Sequence, residues 1–305
     1  MINRIKILFF VFTVVIVTGV YSQPKHKNVD VYFCRHDGEN IIIDENYTFI
    51  DSNYVFEVRN KSMETLVKEH KKDIDNSKHG SCLFSAYEDW QKDFTGIKLG
   101  EEFYVSTPFK VFKSDIYGYK LSDCEPNGYD FNPVLNNTVS IQEDTIDYER
   151  NYFICSKYSK MSRINYDCIT DKTVIKNVTG FLKEYTKNVK VDLGDETKPV
   201  TKVFEGNFLN SGEKEYAVSY QGRVTFETFV SGVFIVNDKG KVEKKVIKFR
   251  IDPGYSNLLG IVDYNGDGQF ELIIESGYYE GSGCELYKLN DGKYEMIASG
   301  FYWGA

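Results

Sequence analysis

The sequence predicts an α+β protein, with a mixed N-terminal half containing a helical hairpin and an all-β C-terminal half of blade-like repeats. Three observations predict it. Apolar side chains recur at helical spacing between Ser62 and Phe94. From Thr201 onward, short apolar runs alternate with Gly, Asn and Asp turns. Aromatic residues reach 15%, with 23 Tyr and 22 Phe, and such side chains favour strands and half-buried surfaces.

The 305 residues suggest two domains at roughly 150 residues each. With 42% hydrophobic and 27% charged residues, the chain has enough apolar material for real cores, which excludes a disordered or collagen-like protein. Lys and Arg number 37 against 45 Asp and Glu, a net charge of -8. That sign disfavours a nucleic-acid partner, because phosphate backbones attract positive charge.

Residues 1–22 have the layout of a signal peptide. Arg4 and Lys6 precede an apolar run from Ile7 to Val17, and Val20-Tyr21-Ser22 leads to a mature start at Gln23. The run is short for a membrane span, which needs roughly 20 residues. No other segment is long and apolar enough, so the mature chain is expected to be secreted or periplasmic and to have no span. An uncleaved anchor is the alternative.

Residues 23–175 read as a mixed α/β domain of unknown type. Val29 to Cys34, Tyr54 to Val58, Phe103 to Phe112, Ile116 to Leu121 and Tyr152 to Ser156 have the character of strands. Met63, Leu66, Val67 and Ile74 share one helical face behind a Ser62 cap. After a break at Asn76 to Gly80, Leu83, Tyr87, Trp90 and Phe94 resume the pattern and complete the hairpin. Residues 122–150, rich in Asn, Asp and Pro, read as loop. All six cysteines (34, 82, 124, 155, 168 and 284) lie beyond the leader. An even count in an oxidising compartment suggests disulfides, with buried thiols as the alternative. Cys155 and Cys168, joined by a short loop, are the expected pair. Cys284, if oxidised, needs a partner in the first half.

Residues 176–305 form the second domain. Phe181, Leu182 and Tyr185 mark a short amphipathic helix. Beyond it, Asn207 to Val218 aligns with Asp263 to Ile274. Each stretch is followed by a Ser-Gly pair, a strand and a turn, at Asn237 to Lys241 and at Asn290 to Lys293. A unit of about fifty residues with several strands is the size of a β-propeller blade or a similar sheet repeat.

The second stretch carries the chemistry. Asp263, Asn265, Asp267 and Glu271 fall at positions 1, 3, 5 and 9 of a loop between apolar runs, and Gln269 at position 7 offers its backbone carbonyl. Alternate positions in a tight loop turn their oxygens inward, and hard oxygen ligands bearing this much negative charge suit calcium. Gly266 and Gly268 permit the sharp turns. An EF-hand would need Glu where Ile274 stands, and helices where strands are predicted. The bland alternative is a turn built on Asn265-Gly266 and Asp267-Gly268, which leaves Asp263 and Glu271 without a role.

The pattern Asp263-x-Asn265-x-Asp267-Gly268-x-x-Glu271-Leu272 resembles the calcium loop of FG-GAP/VCBS-type repeats, over about residues 200–305. Ser276 to Gly281 is also similar to small exported bacterial proteins. The resemblance implies a loop joining strands of a β-propeller-type sheet, with Ca²⁺ as cofactor held by Asp263, Asn265, Asp267, Gln269 and Glu271. In the first copy Leu209 and Ser211 replace ligands, so that copy is expected to keep the hairpin without the ion.

Other constellations are weaker. Gly277, Gly281 and Gly283 lack the Lys-Ser/Thr of a phosphate loop. Cys34-Arg35-His36-Asp37 and His79-Gly80-Ser81-Cys82 match no standard zinc spacing. A triad would have to draw on His26, His36, His70 or His79, all in the first half. The reading is a non-catalytic exported binding or scaffold protein, with an extracytoplasmic protein or glycan as its ligand. The alternative is a secreted hydrolase that carries the repeat as an accessory module.

Overall fold

Strand pairing dominates the described residues, where β-branched and aromatic side chains recur in short runs. The computed structural model describes residues 30–36, 41–44, 81–84, 97–123, 129–135, 152–188, 199–224, 228–278 and 281–304. The first sheet contains β1 (Val31–His36), β2 (Ile41–Asp44), β3 (Ser81–Phe84), β4 (Glu102–Ser106), β5 (Val111–Asp123), β6 (Tyr129–Leu135) and β7 (Tyr152–Ser156). Its order is β3-β5-β4-β7-β1-β2-β6, and a further β5–β6 pairing closes six of these strands into a ring. Tyr32, Cys34, Ile43, Phe103, Phe153 and Cys155 belong to one buried cluster of that ring.

The C-terminal half contains two four-stranded antiparallel sheets, each running through its strands in chain order. The second sheet comprises β8 (Val200–Gly206), β9 (Glu215–Arg223), β10 (Phe229–Asn237) and β11 (Val242–Asp252). The third comprises β12 (Tyr255–Val262), β13 (Glu271–Tyr278), β14 (Gly281–Asn290) and β15 (Lys293–Gly304). Alternation assigns each face. Tyr216, Val218 and Tyr220 of β9 pack with α1 (Lys172–Val178) and α2 (Leu182–Asn188). Ala217, between them, packs with Leu258, Leu272 and Ile274 of the third sheet. Ile273 points the opposite way and joins Val31, Phe33 and Ile154 of the ring. Strand β13 is therefore covered on both faces, and its Leu-Ile-Ile run follows from that. The layers stack as helices, second sheet, third sheet and ring.

The α+β expectation with a helical hairpin is overturned. The protein is mostly β, and among the described residues its two helices have seven residues each. Ser81–Phe84, assigned to the second arm of the hairpin, is strand β3 and pairs with β5, Cys82 opposite Leu121. Four residues are too few to express a helical period, and cross-strand pairing decides their conformation. The Ser62 to Ile74 arm and residues 85–94 lie outside the described residues, as do the leader and Tyr54 to Val58. Part of the expected 122–150 loop is strand β6, which pairs with both β2 and β5. Its Asn132 and Pro133 hid it, since Pro is unusual inside a sheet. The α2 helix does lie at the Phe181, Leu182, Tyr185 pattern, and the rings of Phe181 and Tyr185 meet Phe234 edge to face.

Cys155 is not bonded to Cys168. It is a free thiol buried in the ring, whereas Cys168 packs against the layer between the second and third sheets. The halves are tied by packing, with Cys284 buried in the cluster that contains Phe33. No helix among the described residues is long and apolar enough to cross a membrane.

Candidate functional site

The loop between β12 and β13 turns on two left-handed glycines, Gly266 with φ 75 and Gly268 with φ 85. Such a turn leaves backbone amides pointing inward, and Asp263 collects them. One of its oxygens, Oδ1, accepts from Gly266 N at 2.6 Å and Asp267 N at 3.2 Å, and the other, Oδ2, accepts from Gly268 N at 2.9 Å. Asn265 Oδ1 also accepts from Asp267 N, at 3.1 Å, and Asn265 Nδ2 donates to Asp267 Oδ2 at 2.8 Å. Asp267 Oδ1 accepts from Gln269 N at 2.8 Å.

Glu271, the first residue of β13, is fully buried. Its Oε2 accepts one hydrogen bond, from Tyr264 N at 3.2 Å, and its Oε1 accepts none. Facing that oxygen is Lys288 of β14. Leu272 pairs with Tyr287 across β13 and β14, and the same register carried one step further sets Lys288 opposite Glu271. The Lys288 ammonium lies 3.5 Å from Glu271 Oε1, 3.6 Å from Asp267 Oδ2 and 3.4 Å from the Tyr264 hydroxyl, with the Tyr264 ring 4.8 Å below it.

Burial dominates the electrostatics. It pushes the Glu271 carboxyl up to about 8, more than the Tyr264 amide and the Lys288 charge pull it down. For Asp267 burial works the same way, but hydrogen bonds from Asn265 and the Gln269 amide, with Lys288 beside it, hold it below the usual range. Burial alone would lower Lys288, yet Glu271, Tyr264 and Asp267 together raise it. The ammonium stays charged at neutral pH.

Of the five residues expected to hold calcium, the structure directs Asp267 and Glu271 at one point. Asp263 faces the loop amides, Asn265 faces Asp267, and the Gln269 side chain donates to Phe208 O at 2.8 Å. Among the described residues, no group of three or more His, Cys, Asp or Glu side chains stands close enough to hold a metal ion. In kind, however, the donors fit a hard cation. An ammonium already stands among two carboxylates and a hydroxyl, and a buried Glu271 oxygen lacks a hydrogen bond. Lys288 is the residue the sequence reading missed. Its relation to Glu271 exists only in the β13–β14 register, and no local motif announces it.

The 207–215 loop sits alongside. Glu215, buried, accepts from Phe208 N and Leu209 N at 2.6 Å each, from Ser211 N at 3.3 Å, and from the Ser211 hydroxyl. The two loops are stitched together by Asn207 Nδ2 to Gly268 O and Phe270 N to Asn207 O, both at 2.8 Å. A strap leaving the ring covers the other side. Its Ser162 N donates to Asp263 O at 2.7 Å, Asp263 N donates to Ser162 Oγ at 2.9 Å, and Asn165 bridges to Ile261. The acidic loop thus lies where the ring, the second sheet and the third sheet meet.

Of the weaker candidates, Cys34 is buried in the ring and His79 lies outside the described residues. Gly277 lies under the Tyr255 ring, which a Cβ would approach to 2.7 Å, so close packing is the role it has here. No protein-family model matches the chain, and no curated protein or solved structure is significantly similar to it.

Proposed function

We propose that this is an exported, non-catalytic binding or scaffold protein whose layers are held in register by a cation site in the 263–271 loop, with calcium as the ion. One observation carries the reading: a buried Glu271 oxygen with no hydrogen bond faces a place already held by positive charge. Burial raises the Glu271 carboxyl to about 8, so an ion bound there would replace its proton and compensate the charge that burial makes costly. The location supports a structural role, since the loop is bonded to both the strap and the 207–215 loop. Asp267 and Glu271 are the groups directed at the place of the ion, and Asp263, Asn265 and the Gln269 carbonyl would complete its shell by turning from the loop hydrogen bonds that Asp263 and Asn265 now make. What it supplies there is charge neutralisation. The ligand of the whole protein is, on this reading, an extracytoplasmic protein or glycan.

Thermal melting with millimolar Ca²⁺ or with EGTA tests the ion. For weak, extracellular-type affinity on the order of 10⁻⁴ M, a tenfold excess stabilises by about 1.4 kcal/mol. Asp267→Ala should abolish that gain, while Ser211→Ala in the neighbouring loop should leave it. An unchanged wild-type midpoint counts against the ion, and a gain that survives Asp267→Ala places it elsewhere.

A further inference from the structure

We propose that Lys288 is a resident counter-cation, competing with a divalent ion for the 263–271 loop. The inference rests on reading that loop as a cation site. It adds that the site in this chain is guarded by its own ammonium.

Three observations carry it. The ammonium approaches Glu271 Oε1 and Asp267 Oδ2 at 3.5 and 3.6 Å, whereas a charge-assisted hydrogen bond closes to about 2.7–2.9 Å. Lys288 therefore stands within ion-pair distance of both groups without closing a hydrogen bond, and Glu271 Oε1 is left without one. Its side chain keeps 16% exposure at the end of a flexible stem, so the head has a way out to solvent. The neighbouring loop supplies the third. There Glu215 pairs across the strands with Asn237, which is neutral, and its carboxylate is satisfied by amides and Ser211. A lysine stands only opposite the glutamate that has an oxygen to spare.

Calcium needs its oxygens at about 2.3–2.6 Å, inside the space the ammonium commands. Two cations at such separations repel strongly in a buried place. Binding of one therefore requires the other to leave, and the lysine sets how weakly calcium binds.

Calorimetric titration of the chelator-treated mature chain with Ca²⁺ alone tests this. The variants are Lys288→Met, Lys288→Arg, and Lys288→Met combined with Asp267→Asn. Lys288→Met should tighten the dissociation constant by about tenfold or more, because it removes the competing charge. Lys288→Arg should stay near wild type, and the double variant should lose the gain. In EGTA, Lys288→Met should melt below wild type, and Ca²⁺ should restore it. Lys288→Gln, neutral yet able to donate to Glu271, replaces Lys288→Met if circular dichroism shows the latter unfolded. Equal affinity in wild type and Lys288→Met overturns the competition while leaving the loop a calcium site. A tightening that survives Asp267→Asn overturns it by putting the ion elsewhere. Absence of binding in every variant sinks the calcium reading and the competition with it.

Discussion

The 207–215 and 263–271 loops meet one backbone problem with different carboxylates. Both place left-handed residues at their fourth and sixth positions, Asn210 and Gly212 in one, Gly266 and Gly268 in the other. Both therefore turn amides inward that something must accept. In the first loop Glu215, from the far end, accepts three of them. In the second, Asp263 at the near end does so, and Glu271 is left with one bare oxygen opposite Lys288. A carboxylate satisfied by amides needs no cation, whereas a buried, half-bare one keeps a proton or takes a cation. On the proposed reading, the cation is drawn to the carboxylate that the backbone does not use.

The largest effect should come from breaking the amide-satisfied glutamate. Glu215→Ala strands three backbone N–H groups, two of them held at 2.6 Å, of which that of Phe208 is buried, that of Leu209 half-buried and that of Ser211 exposed. At about 1–3 kcal/mol for each buried unmet donor, with the exposed Ser211 amide met by water, the loss should be about 2–4 kcal/mol. Glu271→Ala strands one amide, that of Tyr264, and removes a costly buried carboxylate, so it should lose about 1–2 kcal/mol. Urea unfolding in EGTA measures both. Equal losses would erase the distinction between the loops.

How legible each part is follows from the range of the interaction that makes it. The second and third sheets are written in alternation and in turn residues, and the Asp263 to Glu271 spacing singles out the acidic loop. The helical hairpin is where local reading misleads, because Leu83, the first residue of its second apolar period, lies in a four-residue strand that only pairing with β5 creates. Strand β6 hides behind Pro133 for the same reason. Lys288 is invisible because it acquires meaning from register. The division of labour between Asp263 and Glu271 depends on the direction of amides, which the loop conformation decides and composition does not.

The left-handed residues of the two loops also differ in what surrounds them. At the fourth position of each loop, Asn210 carries a side chain, whereas Gly266 lies under the strap, where a Cβ would come within 2.7 Å of the Lys160 carbonyl oxygen. Gly212, left-handed at φ 77, has nothing within 4 Å of such a Cβ. Gly212→Ala should therefore cost only left-handed strain, about 1 kcal/mol. Gly266→Ala adds a backbone collision and should cost about 3 kcal/mol by forcing the strap away. Thermal unfolding of the pair measures the gap. Equal costs would mean that the strap yields freely and does not clamp the loop.

The gentlest probe is pH, in EGTA so that no divalent ion intervenes. The fold raises Glu271 from 4.5 to about 8 because burial favours the protonated acid. The folded chain therefore holds a proton that the unfolded chain has released between those values. The contribution is complete below about 4.5 and is lost as pH rises through about 8. Within that window Glu271 should make stability fall with pH at a slope approaching about 1.4 kcal/mol per unit. Asp267 acts with the opposite sign but outside the window. Its carboxyl is lowered from 3.8, so its contribution is present above that value and lost only in stronger acid. Lys288, raised above 10.5, keeps its charge throughout. Glu271→Gln removes the titrating group while keeping its shape, and the difference between the two profiles from pH 5 to 8 isolates one residue. A wild-type slope equal to that of Glu271→Gln would show that Glu271 ionises as easily in the fold as out of it. The contrast with Glu215 would then rest on hydrogen-bond geometry alone, and the half-bare carboxylate would exert no pull on a cation.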